Sequence, residues 1–277
     1  MIRGIGLGAL ALLLAVAGGT LWSVLFRANL GAAPDVPWAA VVMLGLMVFT
    51  WRLLSRTTPL RSLLPGRRQA PWACTAALAV TACLVSLVIL GLRLGHVDKD
   101  AFVSSIDMKA LSIPTRIIRV VMASAVAAFF EEVAFRGLIQ HRLEQRCGPR
   151  RAIAATGLLF YLMHTGHGWT RGDIITVLAV AVPIIVGSVL LGTLAIVSNS
   201  LGPSIVAHAL MDTVLLPIEW TGKHNVEPIA STGIDVHFGL WALVFAISGA
   251  VTLKALVQLA SGVHERRPEG ERPRVAR

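Results

Sequence analysis

The sequence predicts an all-α, polytopic transmembrane helix bundle of about eight spans with both termini cytoplasmic. Three observations predict it. First, 55% of the 277 residues are hydrophobic and only 14% are charged, where a soluble domain carries about a quarter charged residues. Second, apolar segments long enough to cross a bilayer recur along the whole chain, and the mean hydropathy is +0.73. Third, the basic residues fall in alternate connecting segments, the pattern by which cytoplasmic Lys and Arg orient a membrane protein.

The apolar segments run roughly over 5–26, 37–54, 73–94, 118–140, 152–166, 174–197, 203–218 and 236–259, each near the ~20 residues a span requires. The first begins Met1-Ile2-Arg3 and continues to about Phe26 without a clear small-residue cleavage site, so it reads as a retained span rather than a removed signal. The fifth and seventh are short and carry polar residues, which places them inside the bundle rather than against lipid. The segment 95–117 is a hydrophilic connection suited to an interfacial helix or lid. The tail 261–277 is rich in Arg and Glu, has two prolines, and reads as disordered. The chain divides into N-terminal spans (1–114), a core bearing the polar motifs (115–218), a last loop and span (219–260) and the basic tail (261–277).

Charge supports this order. Arg56, Arg61, Arg67 and Arg68 follow the second segment; Arg142, Arg146, Arg150 and Arg151 follow the fourth; Arg266, Arg267, Arg272, Arg274 and Arg277 lie in the tail. The opposite connections are mixed, with Asp98, Lys99, Asp100, Asp107 and Lys109 in one and Glu219, Lys223, Glu227 and Asp235 in another. Eight spans put all three basic stretches on the cytoplasmic face. The net charge of +10 is therefore a topology signal, and no nucleic-acid partner is expected. Cys74, Cys83 and Cys147 have neither disulfide nor zinc spacing and read as packing residues.

Chemistry concentrates in three segments. The fourth reads Ala-Ala-Phe-Phe-Glu131-Glu132-Val-Ala-Phe-Arg136. Each ionisable group there costs at least ~2.5 kcal/mol near the bilayer centre, so partners or a polar cavity must compensate. Glu132 and Arg136 are four apart on one helical face and can pair. Glu131 points about 100° away and is left to exchange protons with water. The alternative for the pair is a packing ion pair with a spare acid. The fifth segment contains Phe160 and His164, with His167 three residues on in a Gly-rich stretch. The seventh contains His208 and Asp212, again four apart, so that the carboxylate can hold the imidazole in one tautomer. No His-Glu-x-x-His zinc motif, Gly-x-Ser-Gly nucleophile motif, Gly-x-Gly-Asp pair or P-loop is present. Ser188 and Ser204 read as packing residues.

Taken together, Glu131-Glu132-x-x-x-Arg136, Phe160-x-x-x-His164 and His208-x-x-x-Asp212 resemble the three signature motifs of the CAAX-protease and bacteriocin-processing family of intramembrane proteases. The family is also called the Abi family or type II CAAX prenyl endopeptidases. The resemblance covers roughly residues 115–218. It implies hydrolysis of a peptide bond in a membrane-associated protein or peptide. Glu131 and His164 would activate water, and His208 and Asp212 would stabilise the oxyanion, with Glu132, Arg136 and Phe160 in support. Where this sequence has Asp212, the family often has Asn, which can donate a hydrogen bond that a carboxylate cannot. The donor role therefore falls to His208, with Asp212 orienting it. Two histidines and two or three carboxylates could bind zinc, but the resemblance favours a mechanism without metal, and no cofactor is expected.

Two other function classes fit less well. A non-catalytic peptide-binding or bacteriocin-immunity protein could use the same cavity, but every catalytic position is occupied. A proton-coupled transporter would be expected to show inverted repeats or paired broken helices, and the sequence has neither. The Ala- and Arg-rich composition points to a prokaryotic cell (inner) membrane.

Overall fold

The computed structural model describes residues 2–32, 38–57, 60–94, 111–164, 174–221 and 234–264. Most of the 95–117 connection, His167 and nearly all of the 261–277 tail lie outside the described residues. Nine α-helices and one π-helical segment appear among the described residues: α1 (Ile2–Ala32), α2 (Trp38–Thr57), α3 (Ala70–Leu94), α4 (Ile113–Glu132), α5 (His141–Cys147), α6 (Pro149–His164), α7 (Ile174–Val197), α8 (Gly202–Thr221) and α9 (Val236–His264). The π-helix, Val133–Gln140, joins α4 to α5 without a break, so 113–147 is one rod. The only β-type pairing among the described residues is an isolated bridge between Ser62 and Ser200.

Each expected apolar segment falls, where it is described, on one helical rod. Three helices are long and apolar enough to cross a membrane, over Trp38–Arg56, Ala70–Gly91 and Val236–Ser261, and Ala181–Val197 forms a shorter apolar helix. α2 and α9 turn Val41, Leu44, Phe49, Leu243, Ile247 and Leu253 outward, as a helix bordering hydrocarbon does. α4, α6 and α8 are interrupted by the polar residues of the motifs.

Two apolar cores organise the bundle. Trp22 and Phe26 of α1, Met43 of α2, and Val120, Phe129 and Phe130 of α4 form the first. Gly18 makes it possible, because a Cβ there would overlap the Phe130 ring. The second gathers Ala76, Val80 and Leu84 of α3, Leu191 and Leu194 of α7, Ala207 of α8, and Leu256 and Leu259 of α9. Small residues at these crossings let the backbones approach closely, the usual device for helix packing in lipid. Between the cores, Phe135 and Leu138 of the π segment meet Phe160 of α6.

Local chemistry sets the boundaries near the motifs. Pro114 sits in the first turn of α4, where its missing N–H costs nothing. Gly148 ends α5 at φ 80°, donates its N–H to the Glu144 carbonyl at 3.0 Å, and is followed by Pro149 opening α6. α7 ends in a tight turn with Asn199 at φ 49°, a conformation Asn tolerates better than most residues. A strap, 60–66, is tied to that turn: Leu201 N–H donates to the Ser62 carbonyl at 2.9 Å, and Ser200 Oγ–H to the Leu63 carbonyl at 2.8 Å. None of the three cysteines is in a disulfide.

Candidate active site

The rod 113–147 carries the acidic pair at the junction where α4 becomes π-helical. A π turn closes over five residues rather than four and recurs at functional sites. Residues four apart therefore stay close along one face. Glu132, Arg136 and Gln140 form such a series and are fully or almost fully buried.

The expected pair between Glu132 and Arg136 is present: Arg136 Nη1 lies 2.9 Å from Glu132 Oε1, both side chains being fully buried. That contact is close enough for an ion pair, although its angle is not that of a hydrogen bond. Arg136 Nη2 donates to Ser188 Oγ of α7 at 2.9 Å and reaches the Ser188 carbonyl at 3.3 Å. The guanidinium also stands over the Phe160 ring, 4.7 Å from its centroid. One turn along, Gln140 Nε2 donates to the Gly192 carbonyl at 2.9 Å. Beyond it, Arg61 of the strap pairs with Glu144 and donates to the Ala195 carbonyl at 2.7 Å. Three side chains from outside α7 thus fasten it at 188, 192 and 195.

α8 brings His208 to the acidic pair. Its Nδ1 is 2.9 Å from Glu132 Oε1. Its Nε2 lies 3.7 Å from Glu131 Oε2 and 3.6 Å from Asp212 Oδ2. The hydrogen bond that fixes the ring is therefore made to Glu132, while Asp212 stands beyond hydrogen-bond distance on the other nitrogen. The two glutamates differ in exposure: the Glu132 side chain is 0% exposed and that of Glu131 is 24%. Asp212 is 19% exposed, so the accessible acids share the Nε2 side of the imidazole.

Phe160 links the second motif to this group. Its ring meets His164 at a centroid distance of 4.4 Å, His208 at 6.1 Å and Phe135 at 5.0 Å. His164 Nδ1 is 2.8 Å from the Phe160 carbonyl, which sets the ring against its own helix. Glu131, Glu132, Arg136, Phe160, His208 and Asp212 thus come together around one imidazole, with His164 joined to them through Phe160.

Residues 113–214 match the family model of Rce1-like proteins, described as type II CAAX prenyl endopeptidase Rce1-like. This stretch is similar to that family. It runs from the first residue of α4 to Val214 in α8 and contains every residue named in the three motifs. The resemblance read from those motifs is therefore supported by the match as a whole. The Rce1-like family is a protease family, which supports a hydrolase. With the three apolar helices, it points to an integral membrane protein. No curated protein and no solved structure matches the chain.

Three supports of this site carry no motif in the sequence: Ser188, which reads there as packing, Gln140 and Arg61. One signal was available. Glu132, Arg136, Gln140 and Glu144 recur every four residues, a polar series in a segment otherwise apolar at its start. Among the described residues no group of three or more His, Cys, Asp or Glu side chains is arranged to hold a metal ion.

Proposed function

We propose that the protein is an intramembrane endopeptidase that hydrolyses a peptide bond of a membrane-associated protein or peptide by glutamate- and histidine-activated water. The observation that carries this reading is the division of the acidic pair around His208. Glu132 is buried against Nδ1 and Arg136, whereas Glu131 and Asp212 are accessible on the Nε2 side. A carboxylate with access to water and no arginine paired with it among the described residues is the one suited to take a proton from an attacking water. Glu131 is that base, and His164 shares the activation of water.

His208 stabilises the developing oxyanion through Nε2. With Nδ1 donating to Glu132, this role requires protons on both ring nitrogens, and the carboxylates of Glu131, Glu132 and Asp212 offset that charge. A donor held in advance at the site of developing charge is worth about 3 kcal/mol or more in a dry environment. Asp212 adjusts the field at Nε2. Arg136 and Phe160 hold Glu132 and the rings in place. The protein donors already gathered on Glu132 Oε1 support a mechanism without metal. All eight rods cross the bilayer of a prokaryotic cell membrane, with both termini inside, and the arginines after α2 and α5 support that orientation.

The test compares membrane-associated peptides in cells carrying wild type and Glu131→Gln. A peptide that accumulates in the variant, with its fragment present only in wild type, is the expected result. Identical peptide profiles would overturn the protease reading in favour of a binding protein.

A further inference from the structure

We infer that Ser188 is a positioning residue for the active site, acting through Arg136 and Glu132 on His208. The inference rests on the protease reading for its activity readout but not for its spectroscopic one. Ser188 is 2% exposed and lies in the middle of α7, a helix that carries none of the three motifs. Its hydroxyl accepts a hydrogen bond from Arg136 Nη2 at 2.9 Å. The opposite terminal nitrogen, Nη1, faces Glu132 Oε1 at 2.9 Å, and the same oxygen receives His208 Nδ1 at 2.9 Å. The chain of contacts is thus Ser188–Arg136–Glu132–His208, buried at every step.

The guanidinium is planar and its donors form a rigid fork. Fixing Nη2 on Ser188 and its face on Phe160 therefore dictates where Nη1 points. Without the Ser188 hydroxyl, Arg136 keeps its charge but loses one of the contacts that aim it. Glu132 then has a less defined partner, and the imidazole it orients follows. Gly157 of α6 faces Ser188, and a Cβ at 157 would stand 3.7 Å from Ser188 Oγ.

Two variants of matched shape supply the test. Ser188→Thr keeps the hydroxyl and adds a methyl; Ser188→Val has the same shape without the hydroxyl. Cleavage of the peptide identified with Glu131→Gln is measured for both, beside the ring-nitrogen NMR signals of 15N-histidine-labelled protein, with His208 assigned by His208→Gln. The expected result is a fall in kcat of at least about tenfold for Val with KM unchanged, near-wild-type kcat for Thr, and a displaced Nδ1 signal of His208 in Val alone. Equal behaviour of Thr and Val overturns the inference. So does a loss of activity in Val with the His208 Nδ1 signal unmoved, which would mark packing alone. If Val does not fold, Ser188→Ala against Ser188→Cys is read in the same two ways. If no peptide is cleaved by wild type, the protease reading fails while the Nδ1 signal still decides the role of Ser188.

Discussion

His208 and Glu132 meet through Nδ1 and Oε1 at 2.9 Å, across 76 residues of sequence. This contact separates the two acids of the Glu131-Glu132 pair. Glu132 is held by Arg136 and the imidazole together, whereas Glu131 approaches the ring at 3.7 Å from an accessible position. Glu131→Gln should lower the cleavage rate by about 10²–10⁴-fold, the usual contribution of a general base, with an unchanged melting temperature in detergent. Glu132→Gln should lose activity and also about 3–5 kcal/mol of stability, because it leaves the buried Arg136 charge uncompensated. Parallel cleavage and melting measurements check both. If both variants fold normally and only Glu132→Gln is inactive, the roles are reversed.

The position of Asp212 makes a separate prediction. Its Oδ2 lies 3.6 Å from His208 Nε2, too far for a hydrogen bond, and the ring is already fixed by Glu132. Asp212→Asn removes a charge but no hydrogen bond, and Asn supplies a donor. At least about a third of the wild-type kcat should remain, a barrier change of about 0.6 kcal/mol. A folded but inactive Asp212→Asn protein would show that the carboxylate itself takes part in the reaction.

Metal dependence follows from the same contacts. Glu132 Oε1 faces Arg136 and His208, protein partners that would compete with a metal ion for that oxygen. Cleavage should therefore persist at the wild-type rate after stringent chelation, with no stoichiometric metal detected in the purified protein. Loss of activity on chelation, restored by zinc alone, would count decisively against the mechanism.

How much of this was legible in the sequence depended on the range of each interaction. The Glu132–Arg136 pair lies within one rod, so spacing alone exposed it. The helices were legible because long apolar runs leave few alternatives in a membrane. The partner of His208 was not legible. Asp212 is its neighbour along α8, yet the packing of α4 against α8 delivers Glu132 to Nδ1 and leaves Asp212 on Nε2. Ser188 looked like packing because a serine in an apolar helix gains meaning only from the arginine that reaches it. The π segment Val133–Gln140 carries no composition signal, and its register is set by the bonds Arg136 and Gln140 make to α7.

The strap predicts an effect far from the motifs. Gly202 opens α8, and a Cβ there would fall well inside contact distance of the Leu63 carbonyl oxygen. That oxygen is fixed backbone that also accepts the Ser200 hydroxyl, so the strap must shift if Gly202 gains a side chain. Gly202→Ala should cost about 1–3 kcal/mol, roughly 2–4 °C of melting temperature per kcal/mol in a chain of this size. Cleavage should fall as well, because His208 stands less than two turns along the displaced helix. A Gly202→Ala protein as stable and active as wild type would show that the strap has room to yield.

Asp235, at the start of α9, ties that helix to α3 and gives stability a pH dependence. Its Oδ1 accepts the Phe238 backbone N–H at 2.8 Å, and the same oxygen meets Arg93 Nη2 at 2.7 Å. The Phe238 N–H, with smaller help from His237 and Arg93 and against some desolvation, holds the carboxyl below its ordinary range. A carboxylate with a lowered folded-state value stabilises the protein above its unfolded value of about 3.9. That contribution is lost as pH falls through the lower, folded value. At neutral pH, Asp235→Ala should melt below wild type, with Asp235→Asn between them because the amide oxygen still accepts from Phe238. The gap between wild type and Asp235→Asn should then begin to narrow near the unfolded value of about 3.9 and close as pH falls through the folded value. A gap that stays constant over that range would mean that shape, and not charge, is what Asp235 contributes at the α3–α9 junction.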